Sequence, residues 1–209
     1  MHPFAIDSDE HQSVFIRLVI PAVLVAIAIH YGLDWTLVTV DIENPLWLQA
    51  LVGPITAGGL LALMLGRFEQ SWWRVGWIRR SLGITTPDLN GRWEVSGESS
   101  YRGGERLWTA EASIEQTWFR LCIHQESQMS TSKSTSAAIQ VKHSSRRPIL
   151  TYEYRNDPKP HSGPALLPHR GFAELQMSPP DEPLRLTGDY YTHPKFRSNY
   201  GSLTLTRLS

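Results

Sequence analysis

Apolar residues fall in two long runs early in the chain and in short alternating bursts after it. From Val14 to Leu33 and from Leu46 to Gly66 polar interruptions are few, and the second run, LWLQALVGPITAGGLLALMLG, has no charged residue. A helix rises about 1.5 Å per residue, so roughly 20 apolar residues cross the hydrocarbon core of a bilayer. The pattern therefore predicts two transmembrane helices, at about 14–33 and 46–66. Arg17 lies near the start of the first run, where its long side chain can reach the headgroups. Pro21 lies early in the same run, where a helix tolerates it best. A cleaved signal peptide would carry a basic cluster ahead of the run; Asp7, Asp9 and Glu10 stand there instead.

After Pro87 helical periodicity disappears. Short β-branched and aromatic runs alternate with Gly, Pro, Ser and Asn, which predicts strands at 92–99, 106–116, 117–126, 136–143, 148–155, 170–177, 184–192 and 200–208. Short strands in this number, with no helix of ten residues between them, predict a small eight-stranded antiparallel, lipocalin-like β-barrel, its entry marked by Gly91-Arg92-Trp93. Closure would remove the unpaired edges of an open sheet. A β-sandwich would satisfy the same strand count. The domain plan is thus a tail at 1–12, two helices within 13–66, a basic Trp-rich connector at 67–86, and a β-barrel ligand-binding domain at 87–209.

Charge orients this plan. The whole chain is neutral, with 20 basic and 20 acidic residues. Residues 13–66 hold only Arg17, Asp34, Asp41 and Glu43, whereas residues 88–209 hold 28 charged side chains. The loop from Asp34 to Pro45 has acids and no Lys or Arg; the segment after the second run has Arg67, Arg74, Arg79 and Arg80. Basic residues stay on the cytoplasmic side, so both termini and the barrel are expected in the cytoplasm. Trp35 and Trp47, and Trp72, Trp73 and Trp77, would mark the two interfaces. RFEQSWWRVGWIRR (67–80) reads as an interfacial helix, or else as a continuation of the second span. The single cysteine, Cys122, excludes an internal disulfide and is read as a buried thiol. Small residues recur every fourth position from Ala50 through Gly58, Ala62 and Gly66. That stripe either packs the two helices together or joins copies of the chain.

Strand alternation suggests a lining. Leu150, Tyr152 and Tyr154 share a face, as do Gly171, Ala173, Leu175 and Met177; Gly188, Tyr190 and Thr192; and Gly201, Leu203 and Leu205. Small residues beside tyrosines would leave room inside, unless the glycines only relieve bends. Tyr152, Tyr154, Tyr190 and Thr192 are the candidate ligand contacts, with Arg120, Lys195 and Arg197 as candidate phosphate partners. Catalysis finds no support. Ser130-x-x-Lys133 lacks a helix and partner motifs, the histidines lack metal-ligand spacing, and no cofactor or metal site is expected.

The arrangement resembles the two-transmembrane β-barrel effectors of CBASS anti-phage systems, which accompany bacterial cyclic-nucleotide synthases. The matching stretches are LNGRWEV (89–95), IEQTWFRLCI (114–123), LTYEYRNDP (150–158), HRGFAEL (169–175) and LTGDYYTHPKFRSNYGSLTLTR (186–207). That resemblance implies a non-enzymatic, multi-pass protein of the bacterial inner membrane. Its barrel would bind a cyclic di- or oligonucleotide made after infection, not DNA or RNA. Binding would drive homo-oligomerisation through Gly58, Ala62 and Gly66, disrupt the bilayer and kill the infected cell. A membrane-tethered binder of an apolar small molecule, or a purely structural barrel, is the alternative reading of the same residues.

Overall fold

The computed structural model describes residues 1–39, 46–100, 106–141, 147–162, 167–179, 181–193 and 199–208. The chain forms two compact units: Asp9–Ile84, and Met1–Ser8 together with Thr85–Ser209.

In the first unit, α1 (Glu10–Thr39) and α2 (Leu46–Gln70) pack on one another. Among its described residues α1 buries one stripe, Glu10, Val14, Leu18, Ala22 and Ala26, a row of residues four apart. Its other large side chains, among them Phe15, Ile20, Leu24 and Ile27, are exposed. Among the described residues, α1 is the one helix long and apolar enough to cross a membrane, over Glu10–Gly32. α2 buries Phe68 and leaves Gly58, Ala62 and Gly66 exposed. It continues into the connector only as far as Gln70. The chain breaks at Ser71, makes a 3-10 turn at Trp72–Arg74, and starts α3 (Gly76–Leu82) after an extended Val75. Trp73 is fully buried beneath the guanidinium groups of Arg74 and Arg79, which lie 5.6 and 5.8 Å from its ring centroid. Gly83, with φ +66°, caps α3 in the left-handed conformation, and Arg17 donates to the carbonyl of Leu82. The acidic loop residues Asp41 and Glu43 lie outside the described residues.

The second unit is a closed antiparallel barrel. Two short strands, β1 (His2–Pro3) and β2 (Ala5–Ile6), precede the helices. The barrel proper is β3 (Gly91–Ser99), β4 (Arg106–Gln116), β5 (Arg120–Ser127), β6 (Ser130–Gln140), β7 (Ile149–Pro158), β8 (His169–Met177), β9 (Arg185–Thr192) and β10 (Tyr200–Arg207). Each of these eight pairs with the next, and β10 returns to β3, which decides for a barrel over a sandwich. Closure is thinnest between β5 and β6, which pair only from His124–Lys133 to Glu126–Thr131. Beyond that point β1 pairs with β5 and β2 with β6, so residues 2–6 fill the gap. The strand at 117–126 is thus shorter than expected at its start. The strand at 136–143 begins earlier, taking in the Ser/Thr-rich stretch from Ser130.

One end of the barrel is packed solid. Trp93, Leu121, Ile139, Leu150, Leu175, Leu186 and Leu205 are each about fully buried there, with Leu89 over them. Trp93 Nε1 donates to the Leu89 carbonyl at 3.1 Å. Gln116 holds this end together from inside: its Oε1 accepts from Leu89 N at 2.8 Å, and its Nε2 donates to Pro87 O at 3.1 Å. Asn90 completes the knot, accepting from Gln116 N at 2.7 Å and donating to Gln116 O at 2.9 Å. Gly91, with φ +134° and Arg207 packed where a β-carbon would point, lets the chain turn from this knot into β3. Removing a buried amide leaves its partners unsatisfied. Gln116→Ala should therefore lower unfolding free energy by about 3 kcal/mol, whereas Arg92→Ala, breaking the exposed Arg92–Glu111 pair, should change it by less than about 0.5 kcal/mol. Urea unfolding of the full chain in detergent measures both.

Candidate ligand-binding site

The other half of the barrel is hollow. A cavity of about 670 Å³ opens at the end away from Trp93, within the range of sites that enclose one small ligand. Period-two alternation sets its walls: along β7, Leu150 belongs to the packed end while Tyr152, Tyr154 and Asn156 line the cavity. β9 contributes Tyr190 and Thr192, β4 Trp108, and β6 Ser130 and Ser132.

Aromatic rings form one side. The rings of Tyr152 and Tyr154 lie 6.1 Å apart, and Trp108 meets Tyr190 edge-to-face at 6.0 Å. Two glycines make room for these rings. Gly171 stands opposite Tyr154 in register, and a β-carbon there would collide with the Tyr154 ring; one at Gly97 would collide with Trp108. At Gly188 and Gly201 the collision would be with backbone carbonyls of the neighbouring strands, so these two permit close strand approach instead. Both readings of the glycines hold, at different positions.

The rest of the lining mixes the apolar Leu107, Met129 and Leu203 with a polar wall. Gln125, Ser127, Ser130, Ser132 and Asn156 line it, and among the described lining residues none is Lys or Arg. Ser127, Ser130 and Asn156 form one network: Asn156 Nδ2 donates to Ser130 Oγ at 3.0 Å, and Ser127 Oγ donates to Ser130 O at 3.1 Å. Hydroxyls and amides of this kind both donate and accept, which suits nucleobase edges and phosphate oxygens. A rim segment folds over the β5–β6 turn. Lys159 Nζ donates to Glu126 at 2.6 Å, Lys159 N donates to Met129 O at 2.9 Å, and the His161 ring bonds the Gln128 carbonyl at 2.8 Å. Lys159 holds the Glu126 carboxyl below its ordinary pKa, chiefly through that hydrogen bond.

The structure brings Tyr152, Tyr154, Tyr190 and Thr192 together around the cavity. Thr192 also braces the rim: its Oγ1 accepts from Asn199 N at 3.0 Å and its own N–H donates to Asn199 O at 2.8 Å. Arg120 is not brought to them. It opens β5 at the packed end, exposed, in register with Pro3. Lys195 and Arg197, in the connection between β9 and β10, lie outside the described residues. Trp108, Asn156 and the β6 serines were missed by the sequence reading. Continuing the alternation from Tyr154 to Asn156, and reading SQMSTSKSTS as a strand, would have found them. On that strand Ser130 and Lys133 point to opposite faces, so they cannot act together.

Burial raises the pKa of Tyr152, and burial together with the neighbouring Tyr152 and Tyr190 raises that of Tyr154. A group raised in the folded state favours folding below its ordinary pKa, near 10 for tyrosine, and loses that contribution as pH rises toward the folded value. Ultraviolet titration should show these phenols ionising after the exposed tyrosines, with stability falling above about pH 10. Tyr152→Phe and Tyr154→Phe should each remove one late-ionising group.

Comparison with known proteins adds two findings. A family model described as Cap15, cyclic dinucleotide receptor domain, matches residues 84–207, which takes in the whole run of barrel strands β3–β10. CD-NTase-associated protein 15 of Yersinia aleksiciae is 33% identical over 154 residues, covering 74% of this chain and 70% of that protein. The aligned length exceeds the matched receptor domain, so the similarity extends beyond the barrel.

Proposed function

The chain belongs to the family of the Cap15 cyclic dinucleotide receptor domain, a family of CBASS effectors, and on that premise we propose that the barrel cavity receives a cyclic dinucleotide. The observation that carries the reading is the cavity itself: an aromatic side of Trp108, Tyr152, Tyr154 and Tyr190 faces a wall of neutral hydroxyls and amides. Bases stack on the rings, each base–aromatic contact worth about 1–3 kcal/mol. The sugar–phosphate ring meets the polar wall, with Lys195 and Arg197 as further phosphate partners. One cavity of this size takes one ligand per chain. A carrier of an apolar molecule would want an apolar interior, which the Ser127–Ser130–Asn156 network does not offer.

The ligand then acts through the membrane. The exposed Phe15, Ile20, Leu24 and Ile27 of α1 suit hydrocarbon, not water. We take α1 and α2 as two spans of the bacterial inner membrane, with both termini and the barrel in the cytoplasm. Among the described residues, nothing lies within 4 Å of a β-carbon built at Gly58 or Gly66, so that side of α2 is not used within the chain. It serves contact between copies, where small residues let helices approach closely. Nucleotide binding drives this association only by favouring the assembled state over the monomer. Assembly disrupts the membrane and kills the infected cell.

Calorimetry of the full chain in detergent against a panel of cyclic dinucleotides should give saturable binding of at least one, at one per chain. Tyr154→Ala should weaken it by roughly 10- to 100-fold. Heat from no nucleotide, together with uptake of a fluorescent lipid, would point to the apolar carrier. Replacing Gly58 and Ala62 by Leu should abolish killing of the expressing cells while nucleotide binding stays intact. Undiminished killing would sink the role assigned to that face.

A further inference from the structure

The seam between β5 and β6 holds a device that the cavity alone does not explain. From Ile123 and Ser134 toward the packed end, these strands no longer pair with each other. Residues 2–7 occupy the space between them. Phe4 buries its ring in the barrel core and donates its N–H to Phe119 O at 3.3 Å. Asp7 N donates to Ile139 O at 3.4 Å, and Asp7 Oδ1 accepts from Val141 N at 2.7 Å. Each of the two strands formed is only two residues long. With two register pairs each, β1 and β2 make the shortest pairings described in the sheet, and short pairings open at lower free energy than long ones.

Ser134 joins this segment to the cavity wall. It sits at a bulge of β6, where the register shifts between Ser134 and Ser136, and bulges re-aim side chains. Its Oγ accepts from Ile123 N at 2.9 Å and meets His2 Nε2 at 2.8 Å. The carbonyl of Pro3 can only accept from His2 Nδ1, 3.0 Å away, so the His2 ring is held between that carbonyl and the Ser134 hydroxyl. Ser134 is also the register partner of Tyr154, which lines the cavity, and lies two residues from Ser132, which lines it too. In the other direction the chain passes from Ile6 to the first residue of α1, Glu10, through Asp7, Ser8 and Asp9.

We propose that residues 2–7 are a releasable clasp, unseated when the cavity is filled, and that they carry the ligand signal into α1. A base wedged against Tyr154 displaces β7 where it faces Ser134. Turning that hydroxyl away removes the partner of His2 and the bond that holds Ile123 toward the seam. Released, the segment no longer ties the start of α1 to the barrel. The inference rests on the cyclic dinucleotide reading of the cavity. It also carries a reciprocal requirement: if the ligand favours the unseated clasp, weakening the clasp must favour the ligand by the same factor.

Hydrogen exchange of the full chain in detergent, with and without the cyclic dinucleotide that calorimetry selects, tests the proposal. Exchange at the amides of Phe4 and Asp7 should accelerate by roughly tenfold or more on binding. His2→Ala and Asp7→Ala, both outside the cavity, should each bind the nucleotide about fivefold more tightly than the unaltered chain. Binding with unchanged or slower exchange at residues 2–7, or with affinity unmoved in both variants, would overturn the clasp and leave the cavity reading standing. No binding by the unaltered chain would overturn the cavity reading and the clasp with it.

Discussion

Ring closure of the sheet is the constraint on which the rest of the molecule depends. Every strand edge presents unpaired N–H and C=O groups, and only a closed ladder leaves none over. Seven of the eight junctions close by long antiparallel ladders; β5 and β6 close by a short one and borrow residues 2–6 for the remainder. Once the ladder is closed, the interior need not be filled along its whole length. Trp93, the surrounding leucines and the buried Gln116 knot stabilise one half, and the other half is left as a cavity.

The two units answer to different solvents. Among the described residues of the barrel no charged side chain is buried, and the buried Gln116 and Ser134 are hydrogen-bonded. α1 instead has a narrow buried stripe and large apolar side chains exposed. On the proposed reading, ligand is sensed in one medium and its effect exerted in the other, so the signal passes along the chain where the two units join. It joins twice, at Ser8–Asp9 and at Ile84–Thr85. The second join follows a Gly83-capped helix and leads to the Gln116 knot at the packed end of the barrel. The first follows the short strands of the thin seam.

Much of this was legible in residue pattern. Alternation placed Tyr152, Tyr154, Tyr190 and Thr192 on inward faces, and Gly91-Arg92-Trp93 marked the start of the barrel. The first follows from the strict period of a strand, which any closed barrel must respect. Arg120 falls away from the tyrosines in both face and height: it alternates with the inward Leu121, Ile123 and Gln125, and alternation does not give a side chain's height along the barrel. Height is set by which residues pair across strands, and β5 runs with Arg120 at the packed end. The β6 serines were overlooked for another reason: a Ser/Thr-rich stretch resembles a turn until its partners in β7 are known. Residues 2–7 read from sequence only as part of a tail, whereas the structure pairs residues 2–6 with β5 and β6. Two-residue strands have no period, and their pairing depends on a gap created by strands more than 110 residues further along.

The central claim is that an occupied barrel switches the membrane helices. Dye-loaded liposomes of inner-membrane lipids, carrying the purified full chain, measure this directly. Leakage should be low without ligand and rise on adding the cyclic dinucleotide, with half-maximal release at the concentration that half-saturates the barrel. Saturation of the barrel with the liposomes still sealed, or leakage of equal extent without nucleotide, would contradict it.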